Sequence, residues 1–564
     1  MKFSKFKYTR PDYKVIKSKF IEIVDCIDTS KSYINQKIQI EELNRLRNNI
    51  QSMSTIVSIR YSLNTSDKFY IEEKEYWDEY SPMYEELNSM FYKSIVNSKY
   101  IDKIEVDYGK QFLKICDYSL KAFSSEIIPE LKEENKLCSK YTKLLASAEI
   151  KFDGQIKNLS GLNSYMYSED RKIRESASKK YYNYFEESED EFDNLFGDLV
   201  KVRDMMAKKL GFDNFVDLGY LRMMRTEYNE NMVKIFRDQI ITDIVPLANS
   251  LYERQAKRLN LEKLDYIDEN IEFTNGNAKP IGDVDYIFSS AKKMYKEISD
   301  ETNEFFNYII ENELIDYETR ANKGAGGYCT YIPDHKAPFI FANFNSTLDD
   351  IDVLTHEAGH AFQLYMSRWI ETPEINFPTL DSCEIHSMSM EFITWPWMDM
   401  FFKEDSEKYK FSHLSSAIKF IPYGALVDEF QHEIYRNPDI SKNKRKNIWR
   451  TLEKKYLPHR DYSTCDFLEK GGWWYKQGHI FKNPFYYIDY VLAQVCALQM
   501  WEKSRDRKSD YLSDYKKMCA VGGSKSFVEI IEIGNLNSPF EKNALSKIIN
   551  SVKLYLDAVN EVCF

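Results

Sequence analysis

His356-Glu357-Ala358-Gly359-His360 sets two imidazoles four residues apart, with a carboxylate directly after the first. On a helix, residues i and i+4 lie one above the other on the same face. Two histidines so placed can grip one metal ion, and the glutamate then points toward the metal's open position, where it can take a proton from water. The pattern is the H-E-x-x-H motif of metallopeptidases. So short a motif also arises by chance on surface helices. In this chain only 8 of 564 residues are His, so a correctly spaced pair stands out. Ile351, Val353 and Leu354 before it, and Ala361, Phe362 and Leu364 after it, predict a buried helix. Buried histidines need partners, and a metal is one.

A catalytic zinc usually takes three protein ligands and keeps one position open. The candidate third ligand is Glu384, far enough along the chain from His360 for a turn and a returning helix. Glu384, Met388 and Glu391 share one helical face. Glu391, two turns beyond Glu384, is expected either to orient a ligand histidine from behind or to be an ordinary solvated or paired carboxylate. Cys383 and His386 flank Glu384 but point off that face, and read either as packing residues or as partners behind the ligands.

Around these residues the chain resembles the thimet-oligopeptidase-like zinc peptidases, specifically the bacterial oligoendopeptidase F branch. The resemblance rests on the motif together with Cys383-Glu384-Ile385-His386-Ser387-Met388-Ser389-Met390-Glu391. It extends to Gly326-Gly327-Tyr328-Cys329-Thr330, Ala337 to Asn345 and Thr347-Leu348-Asp349-Asp350 upstream of the motif. Further blocks are Asn214 to Tyr220, Val427 to His432 and Phe485 to Tyr490. These blocks occur in the right order from about Lys201 to the C-terminus. The resemblance implies a mainly helical ellipsoid split by a deep substrate channel, with a small β-sheet beside the zinc helix. It implies an N-terminal helical region over 1–200 and a catalytic region over 201–564.

Peptide hydrolysis needs an activated water, a polarised carbonyl and a stabilised oxyanion. One zinc per chain on His356, His360 and Glu384 would supply the first two. Glu357 would accept the water's proton and pass it to the leaving amine. The third need calls for a hydrogen-bond donor on the opposite wall. The resemblance places that donor in the segment His479 to Tyr490, with Tyr490 and either Tyr486 or Tyr487 as candidates and His479 as a further donor. Core packing is the alternative for each tyrosine. His335 and His432 read as structural or surface histidines, and His413 and His459 carry no signal. The expected activity is cleavage of internal bonds in short, unstructured oligopeptides. A zinc carboxypeptidase is the nearest alternative, but no arginine suggests itself for a substrate's terminal carboxylate. A non-catalytic peptide-binding protein with a structural metal would have no use for Glu357.

Composition narrows the remaining classes. The net charge is −12 and no basic cluster tracks phosphate, so nucleic acid is not an expected partner. Nine scattered cysteines without a C-x-x-C pair predict reduced thiols and a cytoplasmic setting. The first residues carry charge without an apolar run, so no signal peptide is expected, and no apolar stretch is long enough to suggest a membrane span.

The elements that carry these residues are also legible. Only 19 Gly and 15 Pro interrupt 564 residues, about half the usual share, which predicts long helices. Amphipathic spacing predicts successive helices over 12–150, among them Lys74 to Val96 and Phe112 to Leu131. Helix continues over 165–262 with a break at Gly211. Asn275 to Gly282 reads as a loop and Asp283 to Leu314 as a helix. The break Lys323-Gly324-Ala325-Gly326-Gly327 lacks a phosphate-loop pattern. It leads into two expected strands, Tyr328 to Ile332 and Pro338 to Phe344. The second is expected to offer a free edge on which an extended peptide pairs beside the metal.

Overall fold

The structure, a computed structural model, describes residues 1–320, 322–324, 326–344, 347–506, 510–561 and 564, with the backbone alone for Asp349. Ala325 and Asn345, named above, and one of the nine cysteines, Cys563, lie outside the described residues. The fold is mainly helical, as expected. Polar caps open the first long helices. Asp12 accepts from the backbone N–H groups of Lys14 and Val15, Ser32 from Asn35, and Asp67 from Phe69 and Tyr70. Each side chain satisfies donors that a helix leaves without partners at its start.

Two expected helices are each divided in two. The segment 112–131 becomes Lys110–Ala122 and Ile128–Ala146. Ser124 accepts from the backbone N–H of Glu126, and Pro129 fits only the first turn of the second helix. The segment 283–314 divides at Ser299 into Val284–Ile298 and Asp300–Glu311, because Ser299 and Thr302 form a reciprocal capping box. Apolar periodicity runs across both breaks; the caps decide them.

The strands form a hairpin, β1 (Ile150–Phe152) with β2 (Gln155–Lys157), and a three-stranded sheet of β3 (Ile315–Asp316), β4 (Tyr328–Ile332) and β5 (Ala337–Phe341). The sheet order is β3-β5-β4. This overturns the expected free edge on 338–344. β5 is central, antiparallel to β4 through Thr330 opposite Phe339, and parallel to β3 through Ile315 opposite Ile340. β5 is also buried along its whole length, which fits a strand enclosed on both sides. The outer strands are β3 and β4. The second strand ends at Phe341, and Phe344 instead bonds Tyr317 through its backbone N–H (2.9 Å).

Four helices build the centre: α1 (Leu348–Ser367), α2 (Leu380–Ile393), α3 (Ser406–Arg436) and α4 (Tyr487–Arg505). α2 packs against both α1 and α4, and all its residues but Leu380 and Glu391 are buried. Gly359 permits the α1–α2 contact, since a Cβ there would lie 2.6 Å from the Cα of Ser387 and 2.7 Å from the carbonyl of His386. Gly424 does the same between α3 and α4, where a Cβ would meet the Val491 side chain.

The large apolar core runs through these helices, and a second core forms from residues 13–116 together with Ile370 and Ile375. Those two isoleucines belong to the connection between α1 and α2. The same connection is tied to the N-terminal helices by Arg47, which pairs with Glu374 in a nearly buried ion pair. Tyr92 donates to the same carboxylate (2.9 Å), and the Asn48 amide donates to the Glu371 carbonyl (2.7 Å).

Candidate metal centre

His356, Glu357 and His360 come from α1 and Glu384 from α2. The donor atoms of His356, His360 and Glu384 all lie within 4.8 Å of one another. Glu384 Oε2 is 3.4 Å from His356 Nε2 and 3.5 Å from His360 Nε2. A tetrahedral zinc with bonds of about 2.0–2.2 Å separates its ligands by about 3.3–3.6 Å. The carboxylate oxygen therefore stands from each imidazole at the spacing that a shared zinc imposes, and the N, N, O chemistry suits it.

The shell behind the donors is also built. His356 Nδ1 bonds Glu391 Oε1 at 2.6 Å, the contact that an orienting role for Glu391 would use. Glu384 Oε2 accepts from the Ser387 hydroxyl (3.1 Å), and its Oε1 accepts from the Tyr486 hydroxyl (2.9 Å). Burial alone would raise the pKa of Glu384, but His360 and His356 hold it well below the usual carboxylate range. Burial likewise opposes the Glu391 carboxylate, and His356 and His413 bring it down to about 2.

Glu357 behaves differently. It is buried, and its Oε2 has no hydrogen-bond partner among the described residues. Burial raises its pKa, with the two histidines opposing the shift. A carboxylate held above its ordinary range and left without a fixed partner suits proton transfer. Gly327, immediately before β4, lies beside it: a Cβ on Gly327 would sit 3.7 Å from Glu357 Oε1.

The opposite wall comes from the short helix Gly478–Lys482 and the start of α4. Its backbone is pinned at Phe485, whose φ of 68° is unusual for an aromatic residue. The Phe485 N–H donates to Gln431 Oε1 (2.9 Å), Arg225 donates to its carbonyl, and its ring lies where Gly219 lacks a side chain. The chain then delivers three tyrosines. Tyr486 turns to Glu384, whereas Tyr487 packs beside Phe420 and Tyr423. Tyr487 and Tyr490 both join His356, Met388, Glu391, Phe420 and His479 around a mostly apolar cavity of about 380 Å³. His479 Nδ1 bonds the Gln477 side-chain amide (2.9 Å), whose oxygen accepts from Tyr423 (2.7 Å). That pairing leaves the ring proton on Nε2, free to donate. Burial pushes the His479 pKa down to about 4, so the ring is neutral at pH 7.

Every site residue expected from sequence lies in this region, and one unexpected residue joins them. His413, on α3, bonds Glu391 Oε2 through Nε2 (2.7 Å). Nothing in its local sequence signals this, because its partner lies on another helix. Among the described residues, the His386 ring meets the Cys519 thiol (3.7 Å) and neither His386 nor Cys383 bonds a donor side chain. Burial pushes His386 down to about 3, and Tyr515 bonds its carbonyl, while the Cys383 thiol bonds the Leu380 carbonyl. His335 stacks on Phe6, His432 bonds Arg237 and Tyr220 in the core, and His459 stacks on Tyr252.

Residues 3–123 match the peptidase M3 N-terminal domain, and residues 164–548 match peptidase family M3. The chain is 23 % identical over 466 residues to an oligoendopeptidase F homolog of Borreliella burgdorferi, covering 76 % of this chain and 75 % of that one. A solved structure of PZ peptidase A with an inhibitor superposes with a TM-score of 0.95 at 48 % identity, covering 99 % of this chain and 100 % of that one. A structure assigned to oligoendopeptidase F from Bacillus anthracis strain Ames gives 0.91 at 47 % identity, covering 100 % and 99 %.

Proposed function

The chain belongs to peptidase family M3, and from that membership and the geometry above we propose that it is a zinc-dependent endopeptidase of short, unstructured oligopeptides. The observation that carries the reading is the donor triad His356, His360 and Glu384, with the unpartnered carboxylate oxygen of Glu357 beside it. Zinc, when bound there, supplies a Lewis acid for the scissile carbonyl and lowers the pKa of water. Glu357 Oε2 accepts the water's proton and returns it to the departing amine. Tyr490 and the Nε2–H of His479 donate to the oxygen on which charge develops. Tyr486 holds Glu384, and Glu391 holds His356, each in the orientation that aims its donor atom at the metal.

An extended substrate pairs on the outer edge of β4, which begins just after Gly327 beside Glu357. The eight described cysteines are all free, which supports a cytoplasmic setting. Among the described residues no helix is long and apolar enough to cross a membrane.

The test is mass spectrometry of products from peptides of graded length, each supplied with free ends and with both ends blocked by acetylation and amidation. Internal cleavage that stops in chelator and returns with Zn2+ is the expected result. Release of only a C-terminal residue, abolished by amidation, would overturn the endopeptidase assignment.

A further inference from the structure

A chain of three hydrogen bonds runs from the candidate metal site into the core. His356 Nδ1 meets Glu391 Oε1 (2.6 Å), Glu391 Oε2 meets His413 Nε2 (2.7 Å), and the Trp395 indole N–H donates to His413 Nδ1 (2.9 Å). An indole nitrogen only donates, so His413 Nδ1 must accept, and the ring's proton sits on Nε2. His413 therefore donates to Glu391. With His356 donating from the other side, both carboxylate oxygens are engaged and the group cannot rotate. The His356 proton is fixed on Nδ1, which leaves its Nε2 lone pair facing Glu384 and His360.

The His413 ring is itself held. It lies between Phe392 (centroids 4.8 Å apart) and Tyr409 (5.6 Å apart). Tyr409, one turn earlier on α3, donates to Asp352 Oδ1 (2.6 Å), and Asp352 lies one turn before His356 on α1. Two residues at i and i+4 on α3 thus each grasp one of the two donor-bearing helices: Tyr409 holds α1 and His413 holds α2.

We propose that His413 and Trp395 are positioning residues that act through Glu391 to set how tightly the metal is held and how His356 faces it. The inference rests on the zinc reading above. Outer partners of a ligand histidine typically contribute about 10–100-fold in metal affinity. His413→Leu should therefore weaken Zn2+ binding by about that factor. Trp395→Phe keeps the ring packing but frees His413 to change tautomer, and should weaken binding in the same direction by less.

The experiment is titration of the metal-free full chain with Zn2+ against a chromophoric chelator. It is run on the wild type, His413→Leu, Trp395→Phe, Glu391→Gln and the His413→Leu/Glu391→Gln double variant. If His413 acts through Glu391, adding His413→Leu to Glu391→Gln changes the affinity by less than about twofold. A merely structural His413 would impose its full penalty in both backgrounds, and that result overturns the proposal, as does a His413→Leu affinity within about twofold of the wild type. Should His413→Leu fail to fold, His413→Gln takes its place in the cycle. The visible spectrum of the Co2+-loaded chain gives a second readout: a band shift in Trp395→Phe supports the proposal, and an unchanged spectrum opposes it. Variants that match a zinc-binding wild type overturn this inference alone. A wild-type chain that takes up no Zn2+ overturns the zinc reading and this inference with it.

Discussion

Tyr486 and Tyr490 sit one helical turn apart, yet their phenols face different tasks. Tyr486 gives its one proton to Glu384, and burial together with the charge of that carboxylate raises its pKa far above the usual range. Tyr490 looks into the cavity beside His356. Tyr490→Phe should therefore lower kcat by about 10²–10³, the usual loss for one oxyanion donor, and leave bound zinc unchanged. Tyr486→Phe should also loosen the metal, because Glu384 loses a partner on Oε1. Steady-state kinetics combined with metal analysis separates the two, and equal zinc retention in both variants would refute the division of labour. Glu357→Gln should keep zinc but lose about 10²–10⁴ in kcat, since an amide cannot take the proton. A variant that retained more than about a tenth of the wild-type rate would exclude Glu357 as the base.

Helices α1 and α2 bring the donors together only because their backbones touch at Gly359. A Cβ there would press into the backbone of Ser387 and the carbonyl of His386, and neither can swing aside as a flexible side chain would. Gly359→Ala should cost about 1–3 kcal/mol through overpacking. It should also weaken Zn2+ binding, because Glu384 moves away from the histidine pair. Thermal unfolding and metal titration check both effects. An unchanged zinc affinity would mean that some other contact fixes the spacing of the triad. Gly lowers helix propensity, so its place inside the motif is explained by this close approach and not by local preference.

Across the whole molecule, buried charges link the early helices to the wall opposite the metal. Arg203, fully buried, bonds Glu134 (2.6 Å), the Tyr435 hydroxyl (2.7 Å) and the Phe481 carbonyl (2.6 Å). Arg222 adds two further bonds to Glu134 (3.3 and 2.9 Å). Burial would raise the pKa of Glu134, but the two arginines bring it down to about 2 from its ordinary 4.5. A carboxylate depressed in the folded state stabilises the fold at pH values above its unfolded pKa and loses that contribution as pH falls. Glu134→Gln should therefore lower Tm most above about pH 5, where breaking a buried pair costs about 3–5 kcal/mol. The gap to the wild type should close as pH falls from 4.5 toward 2. A gap independent of pH would show that packing, not charge, is what the variant loses.

The sequence alone determined what depends on local spacing. Two histidines at i and i+4, and Glu384 and Glu391 on one helical face, are consequences of the 3.6-residue period. The mainly helical fold was legible too, in a chain poor in Gly and Pro. Tertiary structure decided what depends on residues distant in the chain. No local pattern shows that β3 closes the second edge of β5, since strand pairing is set by partners elsewhere. Which way Tyr486 and Tyr487 face depends on Phe485, whose unusual φ is held by two residues distant in the chain, Arg225 and Gln431. The role of His413 became visible only when α3 came to lie against both donor helices. Periodicity tells which face of a helix is buried, but the packing of one helix on another decides what that face meets.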